Sequence, residues 1–424
     1  MRLRVFDIDN WQEIFSSLKK NKVRTFFTAF GVFWGIFMLT VMMGSGRGLK
    51  NGVLDDFGDF ATNSFFMWTQ RTSMPYKGFN RGRRFNFRNS DIQYVKDNVP
   101  EIGVLAPRLQ AGGHRGASNV VRGKETGAFN IYGDYPDFIK INPYTIVAGR
   151  FLNNNDLKEE RKIAVIGSSV GDILFKSEEN PIGEYIRIQG VYFKVVGIIK
   201  SRRKGGEAEK DENSIFLPFT SMQKTFNYGD IVMWFAVTSK DNTPASVAEE
   251  KMIKVLKKKH KINPEDDRAI GHFNVEKEFN KMKGLFNGID WLIWVVGTGT
   301  LLAGAIGVSN IMLIIVKERT KEIGVKRALG ATPSEIVIQI ILESIFLTAI
   351  AGIIGLTIGV AILTGIDFLM VSNNVEADMF LHPEIDFQTA ISALTILILS
   401  GAFAGMIPAY RAIKIKPVEA LRDE

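Results

Sequence analysis

Five residues, Gly167-Ser168-Ser169-Val170-Gly171, have the GxSxG spacing of a nucleophile elbow, which lifts a serine onto a strand-to-helix turn. The chemistry would be acyl transfer at Ser169, and it needs a histidine as base and an acid to orient that histidine. No such partners can be assigned: the four histidines, His114, His260, His272 and His382, are scattered, and no pair has metal-ligand spacing. A turn closed by glycines is the better reading. The chain has no GxxxxGK[ST] phosphate loop, so no Walker site for ATP, and no cysteine, so no disulfide or thiol chemistry. No catalytic, cofactor or metal residue is assigned.

Two polar stretches could bind rather than react. Gly78 to Arg88 (GFNRGRRFNFR) interleaves arginine with phenylalanine, which suits an anionic or aromatic ligand or else a mobile solvated loop, the commoner case. Lys200 to Lys210 (KSRRKGGEAEK) has paired glycines and no apolar anchor, and reads as a flexible tip.

The most informative charges lie elsewhere, from Glu318 to Ile338 (ERTKEIGVKRALGATPSEIVI), where a charged segment separates two long apolar runs. Gly330 stands where a helix should stop, after Lys326 and Arg327, which suit the negative end of a helix dipole. Thr332-Pro333-Ser334-Glu335 then carries a capping-box pattern with proline at the first helical position. The segment is therefore helix, sharp stop, new helix. Glu322 and Lys326, four apart, are in the favourable order for an ion pair, and Ile323, Val325, Ala328 and Leu329 offer apolar contacts.

The elements around this hinge are membrane spans. Trp291 to Val316 contains no Asp, Glu, Lys or Arg, and Ile336 to Leu363 contains only Glu343; Phe26 to Gly46 and Thr389 to Ala409 are also free of charge. About 20 helical residues cross roughly 30 Å of hydrocarbon, so each run is long enough. Glu343 is either a proton or substrate site or a group reaching the inner interface. Small residues four apart recur in all four: Gly31 and Gly35; Gly299, Ala303 and Gly307; Ala351, Gly355 and Gly359; Gly401 and Gly405. Such spacing lets helix backbones approach in lipid, which suits a compact helix cluster or a dimer.

Lysine and arginine crowd the segment before the first span, the hinge and the tail, whereas 367–388 has none and carries five acids. By the positive-inside rule both termini and the hinge are cytoplasmic, and 367–388 and the large segment 47–283 are outside. Most of the formal +8 then lies on the inner face, which removes the case for a nucleic-acid partner. The expected order is a cytoplasmic amphipathic helix (1–25, with Trp11, Ile14, Phe15 and Leu18 at helical spacing), span 1 (26–46), an extracytoplasmic domain (47–283), a stalk with span 2 (284–316), the coupling segment (317–335), span 3 (336–366), an outer loop (367–388), span 4 (389–409) and a cytoplasmic tail (410–424).

Within the outer segment, Lys162 to Ile166, Tyr185 to Ile188, Val191 to Ile199, Ser214 to Leu217 and Ile231 to Val237 read as strands, and Ser90 to Asn98 and Ala245 to Lys259 as helices. The fold class expected is four transmembrane α-helices with a large α+β extracytoplasmic domain between the first two.

Several stretches resemble one family. NIMLIIVKERTKEIGVKRALGATPSEI (Asn310 to Ile336), KKNKVRTFFTAFGVFWG (Lys19 to Gly35), AVIGSSVGDILF with NPIGEYIRIQGVYFKVVGII, and GMIPAYRAIKIKPVEALRDE at the tail are similar to the MacB/FtsX-type permeases, membrane subunits of type VII ABC transporters. The resemblance implies a dimer, homodimeric or with a related permease, that relays ATP hydrolysis by a cytoplasmic ATPase to the outer domain. It implies ATPase contact along Glu318, Arg319, Glu322, Ile323, Gly324, Arg327, Ala328, Leu329, Gly330 and Ala331, and a setting in the cell inner membrane with a periplasmic adaptor and an outer-membrane channel as further partners. Only about 25 residues precede the first span, so the ATPase is expected to be a separate chain, and no cofactor is bound here. Lys416 stands where many relatives have aspartate before the proline. The expected function is export or extrusion of substrates from the periplasm or outer leaflet; lipoprotein release, hydrolase activation, or a membrane-anchored sensor or adhesin are the alternatives.

Overall fold

A computed structural model describes residues 22–57, 60–111, 118–176, 179–203, 205–373 and 380–415. Most of the expected amphipathic helix, His114 and the Lys416-Pro417 pair lie outside them. The chain divides into a membrane unit, Met1–Val53 with Leu285–Glu424, and an outer unit, Leu54–Gly284.

The membrane unit is built on four long helices: Lys22–Phe57, Val275–Glu318, Pro333–Ser372 and Phe387–Ala412. Each is long and apolar enough to cross a bilayer. The second has 44 residues, about 66 Å at 1.5 Å per residue, so it runs well past the hydrocarbon at one end or both. Leu302, Ile306, Ile354 and Phe403 are exposed on the outer surfaces of the helices, as suits faces turned to lipid or to another membrane helix.

Small residues set the helix contacts, though not all the expected ones do. A Cβ on Gly355 would come within 2.6 Å of the Phe33 carbonyl oxygen, and one on Gly359 within 2.6 Å of Thr40, so the third helix presses on the first. Gly405 does the same toward Ser344, at 2.8 Å, and Gly401 meets Thr348, which joins the fourth helix to the third. The buried hydroxyls there are satisfied locally, Ser344 donating to the Ile340 carbonyl (3.0 Å) and Thr348 to that of Ser344 (2.9 Å). A Cβ on Gly35 would lie 3.5 Å from the Thr300 backbone, and one on Gly31 would lie 4.0 Å from the Gly304 Cα.

The expected stripe on the second helix meets no other helix within this chain. A Cβ on Gly299 or Gly307 would meet nothing beyond its own helix within 4 Å, and Ala303 is exposed. The seam with the first helix runs through Gly297, against Leu39, and Gly304, where a Cβ would come within 3.3 Å of the Val32 Cα. Positions 297 and 299 are about 200° apart around a helix, so a spacing of four on one stripe says nothing about which stripe meets a neighbour.

At the end of the unit that carries Ser372, the segment after 379 is tied to the first helix. Leu381 N–H donates to the Gly48 carbonyl (2.9 Å), and Arg47 Nη2 pairs with Asp386 (2.8 Å), whose other oxygen accepts from Thr389 N–H (2.9 Å) at the start of the fourth helix. One of the acids that marked this loop is thus a helix cap.

The outer unit has strands β1 (Ser64–Thr69), β2 (Phe87–Arg88), β3 (Ile102–Gln110), β4 (Ser118–Arg122), β5 (Glu125–Asp134), β6 (Tyr144–Gly149), β7 (Ile163–Gly167), β8 (Tyr185–Ile188), β9 (Val191–Ser201), β10 (Ser214–Pro218), β11 (Ile231–Val232), β12 (Trp234–Ser239) and β13 (Ile270–Asn274). Strands β3, β12, β1 and β13 form an antiparallel sheet with helices Asn89–Asn98 and Ala245–Lys259 against it. From β3 the sheet passes to β5, where pairings β5–β10, β10–β7, β7–β9, β9–β8, β8–β4 and β4–β5 close a six-stranded ring. Closure leaves none of these six with an open edge on this path. The continuous apolar runs of β7 and β10 suit strands buried on both faces.

Three sequence readings change. Ile231 to Val237 is two strands, broken at Met233, whose N–H donates to the Arg108 carbonyl (3.1 Å). Gly78 to Arg88 is pinned: Thr72 and Arg83 pair through their backbones (3.1 Å), the Arg83 guanidinium lies 4.1 Å from the Phe79 ring, and Phe87 is fully buried. The expected flexible tip contains a helix, Gly205–Glu212, held by Asp211 to Ser201 and Asn142.

Candidate functional site

The hinge adopts the expected helix, stop and helix. Arg319 (φ −95°, ψ 16°) interrupts the second long helix, Thr320–Ala328 forms a short one, and Gly330 at φ +102° takes the left-handed conformation that ends it. Pro333 opens the third long helix, and the Thr332 N–H donates to Glu335 (2.9 Å).

One face of the short helix is anchored by charge. Arg319 donates through Nε to Glu322 (2.9 Å), and its Nη1 lies 3.5 Å from Glu343, which is 2% exposed. The lone acid in the third span is thus answered by the residue that opens the short helix of the hinge. Arg327 Nη1 donates to the carbonyls of Ile413 (2.8 Å) and Ile415, at the C-terminal end of the fourth helix, where a cation meets the negative end of the helix dipole. Neither contact is readable locally. Arg319 and Glu343 are joined only because the two long helices lie side by side, and the one available signal was a single acid in an otherwise apolar run.

The other face is open. Lys321, Glu322, Val325, Ala328, Leu329 and Gly330 are exposed, Leu329 by 84%, while Ile323, Arg327 and Ala331 are half-buried and Gly324 is buried. Glu318 ends the preceding helix. An exposed helix face with an apolar centre and charged flanks suits a protein partner.

Among the described residues, neither the GxSxG string nor the histidines build a competing site. Ser169 sits in helix Ser168–Leu174, and Gly167 is needed for packing, since a Cβ there would collide with the Glu212 carbonyl. The three histidines described each meet one carboxylate: His260 with Asp91 (2.9 Å), His272 with Glu249 (2.7 Å) and His382 with Asp367 (3.1 Å).

Residues 25–255 match the family model described as MacB-like periplasmic core domain, and residues 294–417 match that of the FtsX-like permease C-terminal. The macrolide export ATP-binding/permease protein MacB of Bdellovibrio bacteriovorus is 25% identical over 98% of this chain and 62% of its own length. The pyoverdine export ATP-binding/permease protein PvdT of Pseudomonas entomophila is 27% identical over 95% of this chain and 58% of its own. The chain therefore spans about three fifths of the length of these curated relatives. Among solved structures, the periplasmic region of MacB from Actinobacillus actinomycetemcomitans aligns with a TM-score of 0.42 and 17% identity, over 53% of this chain and 94% of that one. With one family match running from the first apolar helix across more than half of the chain, and a second covering the coupling turn and the remaining spans, this protein belongs to the MacB/FtsX-type ABC transporter permeases of the inner membrane.

Proposed function

We propose that the chain is the permease subunit of an ABC exporter, in which ATP hydrolysis by a nucleotide-binding partner is relayed to the outer unit to act on substrates in the periplasm or the outer leaflet. The observation that carries this is the coupling turn, pinned to the third and fourth spans on one face and exposed on the other. The continuous helix Val275–Glu318, which ends at that turn, supports the relay. Curated relatives named as macrolide and pyoverdine export proteins support the export direction. A sensor or adhesin has no use for a braced partner-binding turn. A second permease copy completes the proposed assembly.

Two measurements test the reading. Purified from its partner, the chain is expected to bind no ATP, because its sequence holds no GxxxxGK[ST] phosphate loop; stoichiometric nucleotide binding overturns it. Single cysteines can be placed in this cysteine-free chain at Lys124, Ser372 and Lys321, all exposed. After permeabilisation of the outer membrane alone, an impermeant maleimide is expected to label the first two and not the third. The reverse pattern would place the coupling turn outside and end the proposal.

A further inference from the structure

The membrane unit holds a cavity of about 200 Å³ at the end that carries Ser372. Arg47 and Lys50 line it from the first long helix, Asp290 and Trp294 from the second, and Glu384 from the segment that enters the fourth. The charge-free runs set its depth. Arg47 is the first charge after the run 26–46, Asp290 the last before 291–316, and Asp386 the last before 389–409. A boundary of this kind, with Trp291 beside it, is the level of lipid headgroups.

Both signs of charge stand there without a partner inside the chain. Arg47 gives Nη2 to Asp386 (2.8 Å) and keeps its other N–H groups. Among the described residues, no side chain pairs with Lys50, Asp290 or Glu384. All three have accessible surface: Lys50 is half-buried, and Asp290 and Glu384 are exposed. A lone anion is drawn by Arg47 and Lys50 but repelled by the two carboxylates, and a lone cation meets the reverse. A zwitterion satisfies both sides at once.

The donors and acceptors narrow its chemistry. Phosphate suits the basic side, where a guanidinium and an ammonium give it charge-assisted bonds. The acidic side calls for a primary ammonium, because a carboxylate needs N–H donors. Quaternary ammonium groups are held in aromatic cages instead, and among the described residues Trp294 is the one ring that lines this cavity. The volume lies below the roughly 300–1,000 Å³ of pockets that take whole drug-sized molecules, so it suits one end of a larger molecule. Met43, one turn into the span from Arg47, and Ile293 give it an apolar side at the depth of hydrocarbon.

We propose that this cavity binds the headgroup of a phosphatidylethanolamine, with its phosphate on Arg47 and Lys50, its ammonium on Asp290 and Glu384, and its acyl chains leaving past Met43 and Ile293. The assignment rests on where the spans end and not on the export reading.

The test is native mass spectrometry of the full chain, delipidated in detergent and titrated in turn with phosphatidylethanolamine, phosphatidylcholine and phosphatidylglycerol of identical acyl chains. One phosphatidylethanolamine per chain is expected to be retained, about tenfold more tightly than either of the others. Lys50→Gln is expected to weaken it about tenfold. Asp290→Asn with Glu384→Gln, at two exposed and unpaired positions that leave the fold intact, should abolish the preference for phosphatidylethanolamine over phosphatidylglycerol. Soluble phosphoethanolamine at the concentration of the lipid should not displace it, which separates a lipid site from a site for a free phosphate. Equal binding of the three lipids, unchanged affinity in Lys50→Gln, unchanged selectivity in the double variant, or displacement by the soluble headgroup would overturn the proposal.

Discussion

Glu322→Lys is expected to insert and assemble normally, yet to lose substrate-stimulated ATPase activity when reconstituted with the nucleotide-binding partner. Glu322 is exposed, and its bond from Arg319 is an ion pair three residues apart on one helix, worth about 0.3–0.5 kcal/mol. That is too little to disturb four packed spans. If Glu322 meets a basic group of the partner, reversal costs the complex about 1–3 kcal/mol, roughly 5- to 150-fold in affinity. The measurement is ATPase rate in proteoliposomes, with co-purification of the partner alongside; wild-type coupling in this variant would remove the turn from the transmission path. Arg319→Glu is a less selective probe than its place in the sequence implies. Its guanidinium also faces the buried Glu343, and a carboxylate there would leave two acids together at a cost of about 3–5 kcal/mol, so loss of assembly accompanies loss of coupling.

Arg108→Leu should produce the largest loss of stability in the outer unit. Arg108 grips both oxygens of Asp134, at 2.5 and 2.9 Å, with its guanidinium carbon 3.7 Å from the Phe138 ring centroid, and Asp134 has no exposed surface. Removing the cation leaves the buried Asp134 carboxylate without its partner, about 3–5 kcal/mol. Hydrogen exchange in the full chain reads this at β3 and β5, where rates should rise by more than about a hundredfold. The double variant Arg108→Leu with Asp134→Leu should recover most of the loss, because two apolar side chains leave no charge behind. Single-variant rates within about tenfold of the parent would show that the pair does not hold the sheet to the ring.

The variant's pH dependence follows from the same burial. Desolvation already pushes the Asp134 carboxyl upward, and without Arg108 nothing opposes it. A carboxyl whose folded pKa lies above its unfolded value binds the proton more tightly in the folded state. Stability of Arg108→Leu should therefore be best preserved below the unfolded pKa, near 3.9, and fall as pH rises through the raised folded value. Opposite behaviour, with protection improving toward neutral pH, would mean that another group takes up the Asp134 charge.

The sequence by itself determined what depends on neighbours along the chain. Charge-free runs named the four spans, Gly330 and Thr332 to Glu335 marked the stop and restart of the coupling turn, and the helix at Ala245–Lys259 and the strand at Tyr185–Ile188 were legible with their bounds. Apolar periodicity and turn chemistry act over a few residues, so they survive without a structure. Strand β3 escaped that reading because Pro107 and Arg108 sit inside it, and both look like breakers until Pro107 is placed opposite Phe235 and Arg108 on Asp134. Glycine spacing showed that the spans could pack closely, but only the assembled helices put Gly297 and Gly304 on the first helix and leave Gly299 and Gly307 without a contact inside the chain. The contacts that brace the hinge, Arg319 with Glu343 and Arg327 with the end of the fourth helix, join residues from separate elements, as does the bond from Asn142 to Asp211 in the outer unit. A periodic pattern fixes which face of an element is apolar; which side chain stands opposite it is set by packing between elements, and that the tertiary structure alone decided.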